Sequence, residues 1–303
     1  MRRRTRTGPR REPSLQPAEL TPLLDLLASI GEPAPRWALS LVRKLRIAYV
    51  GPAFRVIRAS DSTSLDVGFM PTGVVNFNPL LAFIAGTTAV IDAVYDQSGN
   101  GINFTQGTAA SRPTITNGAG VLQRNAGGKV AVAFDGVNDT LNNAAPGVGM
   151  LGGPALSSLI TAQNTGPTGR RMTQMGISAA AGSSWATAIQ TATTFAVSCT
   201  TGFREFTPLA ATSAWFLARK AAAALPSAFR LMENSSELPQ ALCTACATVP
   251  AIALANADWG AGRTGGGIAT PWGGLSNCHI GWYADISNAA VPFIAQEMAR
   301  YNI

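Results

Sequence analysis

Carboxylates are the side chains of this sequence best suited to chemistry, because a pair of them can cleave a glycosidic bond. Such a pair flanks the sugar with its carboxyl groups about 5–9.5 Å apart. The sequence cannot measure that distance, so hydrolysis remains one open hypothesis. The candidate acids are Asp92, Asp96, Asp135, Asp139, Glu205, Glu233, Glu237, Asp258 and Asp285.

The stretch VYDQSGNGINFTQ, residues 94–106, has the spacing of the first half of a calcium loop. Asp96, Asn100 and Gly101 occupy ligand-loop positions, but the twelfth position, which needs a bidentate acid, is Gly107. We therefore predict a structural turn formed by Asp96, Asn100 and Gly101. No metal site is predicted here.

The thiols and the single histidine favour structural roles. His279 follows Cys278 on a predicted strand, so the two side chains point to opposite faces and cannot act together. Cys243 and Cys246 form a C-x₂-C pair, but no second pair lies close enough in sequence to complete a zinc site; Cys199 stands apart. Disulfides and free thiols both stay open, and no cofactor is predicted.

Two tryptophans are candidates for sugar contact. Trp259 and Trp272 are flanked by glycines, which is typical of exposed loops. An exposed indole ring can stack on a sugar. The remaining tryptophans are predicted to be core residues.

The basic charge lies at one end of the chain. Residues 1–60 contain twelve Arg or Lys and four Asp or Glu, whereas residues 61–303 contain eleven and twelve. A nearly neutral body with a basic extension favours an arm that docks on an acidic protein surface, and not a nucleic-acid binder. The predicted assembly anchor comprises Arg2, Arg3, Arg4, Arg6, Arg10, Arg11, Leu23, Leu24 and Leu27.

Hydropathy indicates no contact with a membrane. No apolar stretch is long enough to span a bilayer, and the arginines at the start are not followed by the apolar run of a secretory signal. We expect a protein made in a cytoplasm.

The elements that must position these residues are mainly strands. TPLLDLLASIG predicts a helix that begins after Thr21, and RWALSLVRKLRIAYVG predicts a second helix. From residue 54 onward, short apolar runs separated by Gly, Pro and Asn predict an all-β sandwich or jelly roll, closed by a helix in AAVPFIAQEMARYNI. We divide the chain into 1–51, the basic arm with two short helices, and 52–303, the jelly-roll domain.

Three motifs together resemble known families: residues 38–69, residues 94–115 and KVAVAFDGVNDTL. They resemble the lectin-like modules of bacteriophage virion proteins, and their order is similar to the start of the arabinofuranosidase B catalytic domain. The end of the chain resembles laminin-G-like domains. The resemblance implies a concanavalin A-like jelly-roll sandwich, a fold that carries many functions.

The resemblance and the basic arm together lead to a prediction of function. We expect a bacteriophage virion structural protein without enzymatic activity, located in the virion as a capsid decoration, neck, tail or fibre component. Its partners would be other virion proteins and further copies of itself, with a host-surface glycan as a candidate ligand. The alternative is a carbohydrate-binding module or an arabinofuranosidase-like glycoside hydrolase. LMENSSEL resembles an acid-bearing strand of those enzymes, but its polar turn at Asn234, Ser235 and Ser236 favours a hairpin, and the later part of the enzymes' pattern is not recognisable.

Overall fold

The chain folds as a two-sheet β-sandwich. The computed structural model describes residues 21–144, 155–166, 170–176, 184–191, 194–199, 202–206, 213–220, 229–244, 257–261, 263–264, 267–268 and 271–301. Within these residues all the strand pairings are antiparallel. The predicted all-β sandwich is confirmed.

The described strands run in chain order as follows. The first seven are β1 (Trp37–Ser40), β2 (Phe54–Arg58), β3 (Ser64–Val67), β4 (Ala89–Val94), β5 (Phe104–Thr105), β6 (Val132–Asp135) and β7 (Leu141–Asn143). The next seven are β8 (Leu156–Asn164), β9 (Arg170–Gly176), β10 (Ser184–Thr191), β11 (Thr194–Cys199), β12 (Gly202–Phe206), β13 (Ser213–Lys220) and β14 (Phe229–Glu233). The last seven are β15 (Ser236–Glu237), β16 (Gln240–Thr244), β17 (Ala257–Trp259), β18 (Arg263–Thr264), β19 (Gly267–Ile268), β20 (Gly273–Ser276) and β21 (Cys278–Trp282).

Two sheets form the sandwich. The smaller sheet has the order β1-β21-β8-β13-β14-β15, with β20 and β6 attached beside β8. The larger sheet has the order β16-β12-β11-β10-β9-β17-β7-β5-β4-β2-β3, and β18 pairs with β19 separately. Apolar side chains from both sheets, such as Phe54, Phe104, Phe195 and Phe216, meet in one buried core. Burial of these side chains away from water stabilises the sandwich.

Two helices cover the outer face of the smaller sheet. The α-helices among the described residues are α1 (Leu23–Ser29), α2 (Asn78–Phe83) and α3 (Val291–Met298), of which α1 and α3 form this cover. Leu23 and Leu27 of α1 and Ile294 of α3 join a second buried cluster with Trp215 and Trp282 of the smaller sheet. The outer face of the larger sheet is therefore the face of the sandwich that α1 and α3 leave uncovered.

The predicted second helix is wrong. Trp37–Ser40 is a strand of the sandwich that pairs with β21, whereas the sequence division assigned residues 1–51 to an arm with two short helices. Trp37 and Leu39 face the core between the sheets, and Ala38 faces the helices. This alternation of burial with a period of two residues favours a strand over a helix. Gly281 on β21 makes room for the Trp37 ring, because a Cβ at that position would lie only 2.2 Å from the ring.

Candidate functional site

The turn after β4 is held together by its own acid. The Asp96 carboxylate accepts hydrogen bonds from the backbone amides of Ala38 (2.8 Å), Ser98 (2.8 Å) and Ile102 (3.0 Å). Gly101 has a φ of 71°, and Asn100 donates to the carbonyl of Arg36 at 2.9 Å. The oxygens of Asp96 are therefore engaged by backbone and hydroxyl donors, and the turn fastens β1 to the larger sheet.

The two tryptophans proposed for sugar contact lie in the core. Trp259 and Trp272 are 0% and 1% exposed, and both rings pack against Phe134. Gly260 has a φ of 91° and the Phe134 ring lies directly against it, so the neighbouring glycine permits close packing instead of an exposed loop. The predicted sugar contact through these two side chains is corrected accordingly.

The leucines of the predicted assembly anchor are also buried within the chain. Leu23, Leu24 and Leu27 are 0%, 7% and 2% exposed, and they pack on the outer face of the smaller sheet. A helix whose apolar face is covered by its own fold has no need of a neighbouring subunit. The six arginines proposed with them, Arg2, Arg3, Arg4, Arg6, Arg10 and Arg11, lie outside the described residues.

Three of the nine candidate acids are held in ion pairs between described residues. Asp92 pairs with Arg112 at 3.0 Å, and Asp285 pairs with Arg219 at 3.1 Å. Glu237 lies 3.8 Å from Arg230 at the surface. These three acids are therefore engaged by arginines of the same chain.

Asp139 is an acid with a different environment. It is buried at the turn between β6 and β7, where one oxygen accepts the backbone amide of Asp135 at 3.1 Å. Burial, with the nearby Asp135 carboxylate as the second cause, raises the pKa of Asp139 to about 7. A carboxyl group with that pKa keeps its proton near neutral pH, as a proton donor in glycoside hydrolysis must.

Glu233 ends β14 and faces the interior of the sandwich. It is 2% exposed and pairs across the strands with Phe216. Asn234 and Ser235 follow with positive φ values of 46° and 75° and form the turn of the β14–β15 hairpin. LMENSSEL is therefore a hairpin, as predicted from its polar turn.

A row of eight side chains, six of them polar, crosses the outer face of the larger sheet. Cross-strand pairing aligns one residue from each of eight neighbouring strands, and alternation with core residues such as Ala257 and Trp259 places the row outside. The row consists of Ala186, Gln174, Asp258, Asn142, Thr105, Ala93, Arg55 and Asp66.

The centre of this row combines an acid, two amides and an arginine. Asp258 and Gln174 are 0% exposed and are paired with each other across β17 and β9, and Asn142 flanks Asp258 on β7. Arg171, half-buried, donates to the Gln174 side-chain oxygen at 2.7 Å. Carboxylate, amide and guanidinium groups together supply the acceptors and donors that sugar hydroxyls require. We name Arg171, Gln174, Asp258 and Asn142 the central cluster.

Sequence reasoning found only part of this cluster. Asp258 was one of nine candidate acids, whereas Arg171, Gln174 and Asn142 were not selected. The available signal was the alternation in ADW and in RRMTQMG, which puts polar residues on one face of each strand. The pairing of β9 with β17 and β7 brings these faces together, and no short motif records that pairing.

Metal and membrane sites are not seen in the described part of the chain. Its residues contain no group of three His, Cys, Asp or Glu side chains that could hold a metal ion. None of the described helices is long and apolar enough to cross a bilayer. Cys278 is a free, buried thiol, and the side chains of Cys199, Cys243 and Cys246 lie outside the described residues.

The chain is similar in sequence to arabinofuranosidases. Residues 24–147 match the family model of the alpha-L-arabinofuranosidase B catalytic domain. An alpha-L-arabinofuranosidase of Hypocrea jecorina is 42% identical over 82 residues, which is 27% of this chain and 16% of the relative. A probable alpha-L-arabinofuranosidase B of Aspergillus terreus is 40% identical over 83 residues, again 27% and 16%. The matches thus span about a sixth of each relative.

The fold is similar to that of solved arabinofuranosidases over nearly the whole chain. A glutamate-to-glutamine mutant of a GH54 α-L-arabinofuranosidase, soaked with 4-nitrophenyl α-L-arabinofuranoside, has a TM-score of 0.71 at 14% identity, covering 93% of this chain and 66% of that one. An arabinofuranosidase complexed with arabinofuranosyl-α-1,2-xylobiose has a TM-score of 0.69 at 14% identity, covering 93% and 65%. This likeness establishes the sandwich fold.

These matches overturn the virion prediction. The prediction of a bacteriophage structural protein, located in the virion and without enzymatic activity, is wrong, because the matched family and relatives are arabinofuranosidases. The resemblance to the arabinofuranosidase B catalytic domain is confirmed, and the matches carry no sign of a bacteriophage origin. The predicted self-association and the absence of nucleic-acid binding are untested and stay predictions.

Proposed function

We propose that this chain is an arabinofuranosidase-like glycoside hydrolase module that acts on α-L-arabinofuranosyl groups. The observation that carries the proposal is the match of residues 24–147 to the catalytic domain of arabinofuranosidase B. The similar solved structures, one soaked with an α-L-arabinofuranoside and one complexed with an arabinofuranosyl xylobiose, support the same substrate class.

We assign the central cluster to the sugar on the chemistry of its side chains, although Asp258 and Gln174 are fully buried in this structure. A furanosyl group presents several hydroxyls, each of which can donate and accept hydrogen bonds. The carboxylate of Asp258 and the amides of Asn142 and Gln174 are groups of the type that bind sugar hydroxyls, and the three residues lie side by side on the same sheet face. A row of rigid strands fixes their relative positions better than loops would.

Hydrolysis needs two carboxyl groups in different protonation states. We assign Asp258 as the acid of the central cluster that contacts the sugar. Asp139 is the second carboxyl group to test, because its pKa of about 7 suits a proton donor. The residues that follow these two acids are in contact, because the Thr140 hydroxyl, next to Asp139, donates to the carbonyl of Trp259, next to Asp258, at 3.3 Å.

The first prediction concerns turnover of 4-nitrophenyl α-L-arabinofuranoside. The unaltered protein should release 4-nitrophenol, and Asp258→Asn should lower kcat/KM by about 100-fold or more, because acid–base groups typically contribute 10²–10⁴-fold. Asp139→Asn should also lower it if that carboxyl donates the proton. Absorbance of 4-nitrophenol at saturating and subsaturating substrate measures both parameters.

The matched control is Asp66→Asn. Asp66 lies at the far end of the same row, exposed and paired with Arg55, so its loss should change kcat/KM less than twofold. Circular dichroism spectra of the variants check that each is folded. Binding of the arabinofuranoside without turnover would indicate a carbohydrate-binding module instead, and neither binding nor turnover would overturn the proposal.

A further inference from the structure

A groove opens at the edge of the larger sheet, beside its last strand, β3. Its volume is about 510 Å³, and its walls come from two segments, residues 44–52 and residues 66–71. Ligand sites commonly have volumes of about 300–1,000 Å³. We name this feature the edge groove. Asp66 in its wall belongs to the same outer-face row as Asp258 but lies five strands away, which is about 24 Å at the usual spacing of strands.

Two aromatic rings form part of the wall of the edge groove. Tyr49 and Phe69 are half-buried, and their rings meet edge to face with centroids 6.2 Å apart. The Tyr49 hydroxyl donates to the carbonyl of Pro52 at 2.7 Å, and Phe69 packs against the core. Gly51 makes room for Tyr49, because a Cβ at Gly51 would lie only 2.5 Å from the hydroxyl oxygen. The rings are thus positioned before a ligand arrives, which lowers the entropy cost of binding.

Charged groups of both signs lie beside these rings. Asp66 is exposed, and its oxygens accept two hydrogen bonds from Arg55, at 2.9 Å each, and one from the Tyr95 hydroxyl at 2.7 Å. A carboxylate has about four acceptor positions, so these three bonds leave room for a hydroxyl of a ligand. The Lys44 Nζ atom lies 5.9 Å from the centre of the Phe69 ring. Since Lys44 and Asp66 both line the groove, a donor and an acceptor stand beside the rings.

Gly68 keeps the edge groove open. It follows the last residue of β3, and a Cβ at Gly68 would meet no heavy atom within 4 Å. Its φ lies outside the left-handed region, so a side chain can be added there without backbone strain. A larger residue at this position would therefore fill free space of the groove and leave the fold intact.

The rim of the edge groove is apolar and exposed to water. Val50 and Met70, which both line the groove, are 97% and 38% exposed. Removing such surface from water is favourable. A ligand with apolar faces and many hydroxyls matches the rim, the rings and the two charged groups together. Because Lys44 and Asp66 have opposite charges, a neutral ligand fits the groove better than a strongly acidic or basic one.

We propose that the edge groove binds a neutral oligosaccharide chain. The C–H faces of its sugars pack against Tyr49 and Phe69, while its hydroxyls donate to Asp66 and accept from Lys44. This inference goes beyond the proposed function, because it concerns binding away from the central cluster and does not require hydrolysis. An arabinofuranoside of one sugar at the central cluster is too short to reach Asp66.

Two other occupants of the edge groove give different results. A second copy of the chain seated on the apolar rim would produce a dimer whose population depends on protein concentration. An acidic saccharide held by Lys44 alone would bind more weakly as salt is raised, because ions screen exposed charges. A neutral oligosaccharide instead predicts binding by a monomer, with an affinity that salt hardly changes.

The test is isothermal titration calorimetry with three neutral probes, xylohexaose, cellohexaose and mannohexaose, and one acidic probe, hexagalacturonate. At least one neutral probe should bind the unaltered protein, and hexagalacturonate should bind at least tenfold more weakly than that probe. Gly68→Leu should weaken binding of the neutral probe at least tenfold, because the new side chain fills the groove. Tyr49→Ala should weaken it at least fivefold, because one ring of the wall is lost.

The matched control is Gly107→Leu, which adds the same side chain at an exposed glycine outside the edge groove. The φ of Gly107 also lies outside the left-handed region, and a Cβ there would likewise meet nothing within 4 Å. This variant should bind the neutral probe within twofold of the unaltered protein. Circular dichroism checks that each variant is folded.

Four outcomes would each overturn the inference: no binding of any neutral probe, equal loss of binding in Gly68→Leu and Gly107→Leu, equal or tighter binding of hexagalacturonate, or a dimer that Gly68→Leu dissociates. Sedimentation velocity at several protein concentrations measures the last of these. Hydrolysis of 4-nitrophenyl α-L-arabinofuranoside by the unaltered protein reports on the proposed function separately, so the two failures are distinguishable.

Discussion

His279 shows how the sandwich interior changes the chemistry of a single residue. Its ring is 0% exposed and lies 5.7–5.9 Å from the rings of Trp37, Phe104 and Trp259. In the described structure neither ring nitrogen has a hydrogen-bond partner, and burial lowers the pKa of His279 to about 3. Since Cys278 faces the helices on the other side of the strand, the two cannot form a nucleophile–base pair.

This burial predicts acid sensitivity. An unfolded histidine binds a proton below about pH 6.5, whereas folded His279 does so only near pH 3, so the unfolded state gains protons first. His279 therefore lowers the free energy of unfolding progressively as the pH falls from about 6.5 to 3, with a limiting slope of about 1.4 kcal/mol per pH unit. Above pH 6.5 this effect is absent.

The test is His279→Phe, measured by chemical denaturation at pH 7 and at pH 4.5. The variant should lose less stability between the two pH values than the unaltered protein does, whatever its stability at pH 7. Other titrating groups, including Asp139 with its raised pKa, are common to both proteins and cancel in the comparison. Equal pH dependence of the two proteins would contradict the prediction.

At the scale of elements, the turn of residues 96–102 decides whether β1 joins the sandwich. Asp96 bonds three backbone amides, including that of Ala38 in β1, and all three bonds are buried. A buried amide without a partner costs about 1–3 kcal/mol. The turn therefore joins β1 to the end of β4 through hydrogen bonds, and it is not a ligand loop.

Asp96→Ala should lower the free energy of unfolding by about 3 kcal/mol or more, since several buried amides lose their acceptor. Asp61→Ala is the comparison, because Asp61 is exposed and accepts from Thr63 in its own turn; its loss should cost less than about 1 kcal/mol. Urea denaturation measures both. A calcium-dependent rise in the midpoint that Asp96→Ala removes would show that the turn binds the ion after all.

At the scale of the whole molecule, both ends of the described chain close over the smaller sheet. α1 and α3 share one buried cluster with Trp215 and Trp282, and β1 pairs with β21. Glu297 of α3 is buried and pairs with Arg43 at 3.2 Å, which ties the C-terminal helix to the segment after β1. The described residues 21–51 are therefore part of the sandwich.

Leu27→Ala should destabilise the isolated protein by about 2–5 kcal/mol, the usual range for a buried leucine, because Leu27 is 2% exposed against its own chain. Ile30→Ala, at an exposed position just after the same helix, should have a much smaller effect. Thermal unfolding at several protein concentrations makes the distinction. If α1 packed on a neighbouring subunit, the effect of Leu27→Ala would depend on concentration.

The sequence by itself determined the elements whose burial follows a local period. The helices α1 and α3, the β14–β15 hairpin and a body of many short strands were predicted from spacing and turn residues, and the described residues confirm them. These signals are local because a helix or hairpin joins residues close in the chain. The all-β class follows from them.

Only the tertiary structure decided which strands are neighbours, and with it the candidate site. Trp37–Ser40 is a strand because β21, far away in the chain, supplies its hydrogen bonds, and Trp259 is buried because Phe134 packs against the glycine beside it. Asp258, Gln174 and Asn142 meet through the pairing of β17 with β9 and β7. Side chains from separate strands converge through long-range pairing, and that pairing is set by burial of the common core, which no short stretch of sequence contains.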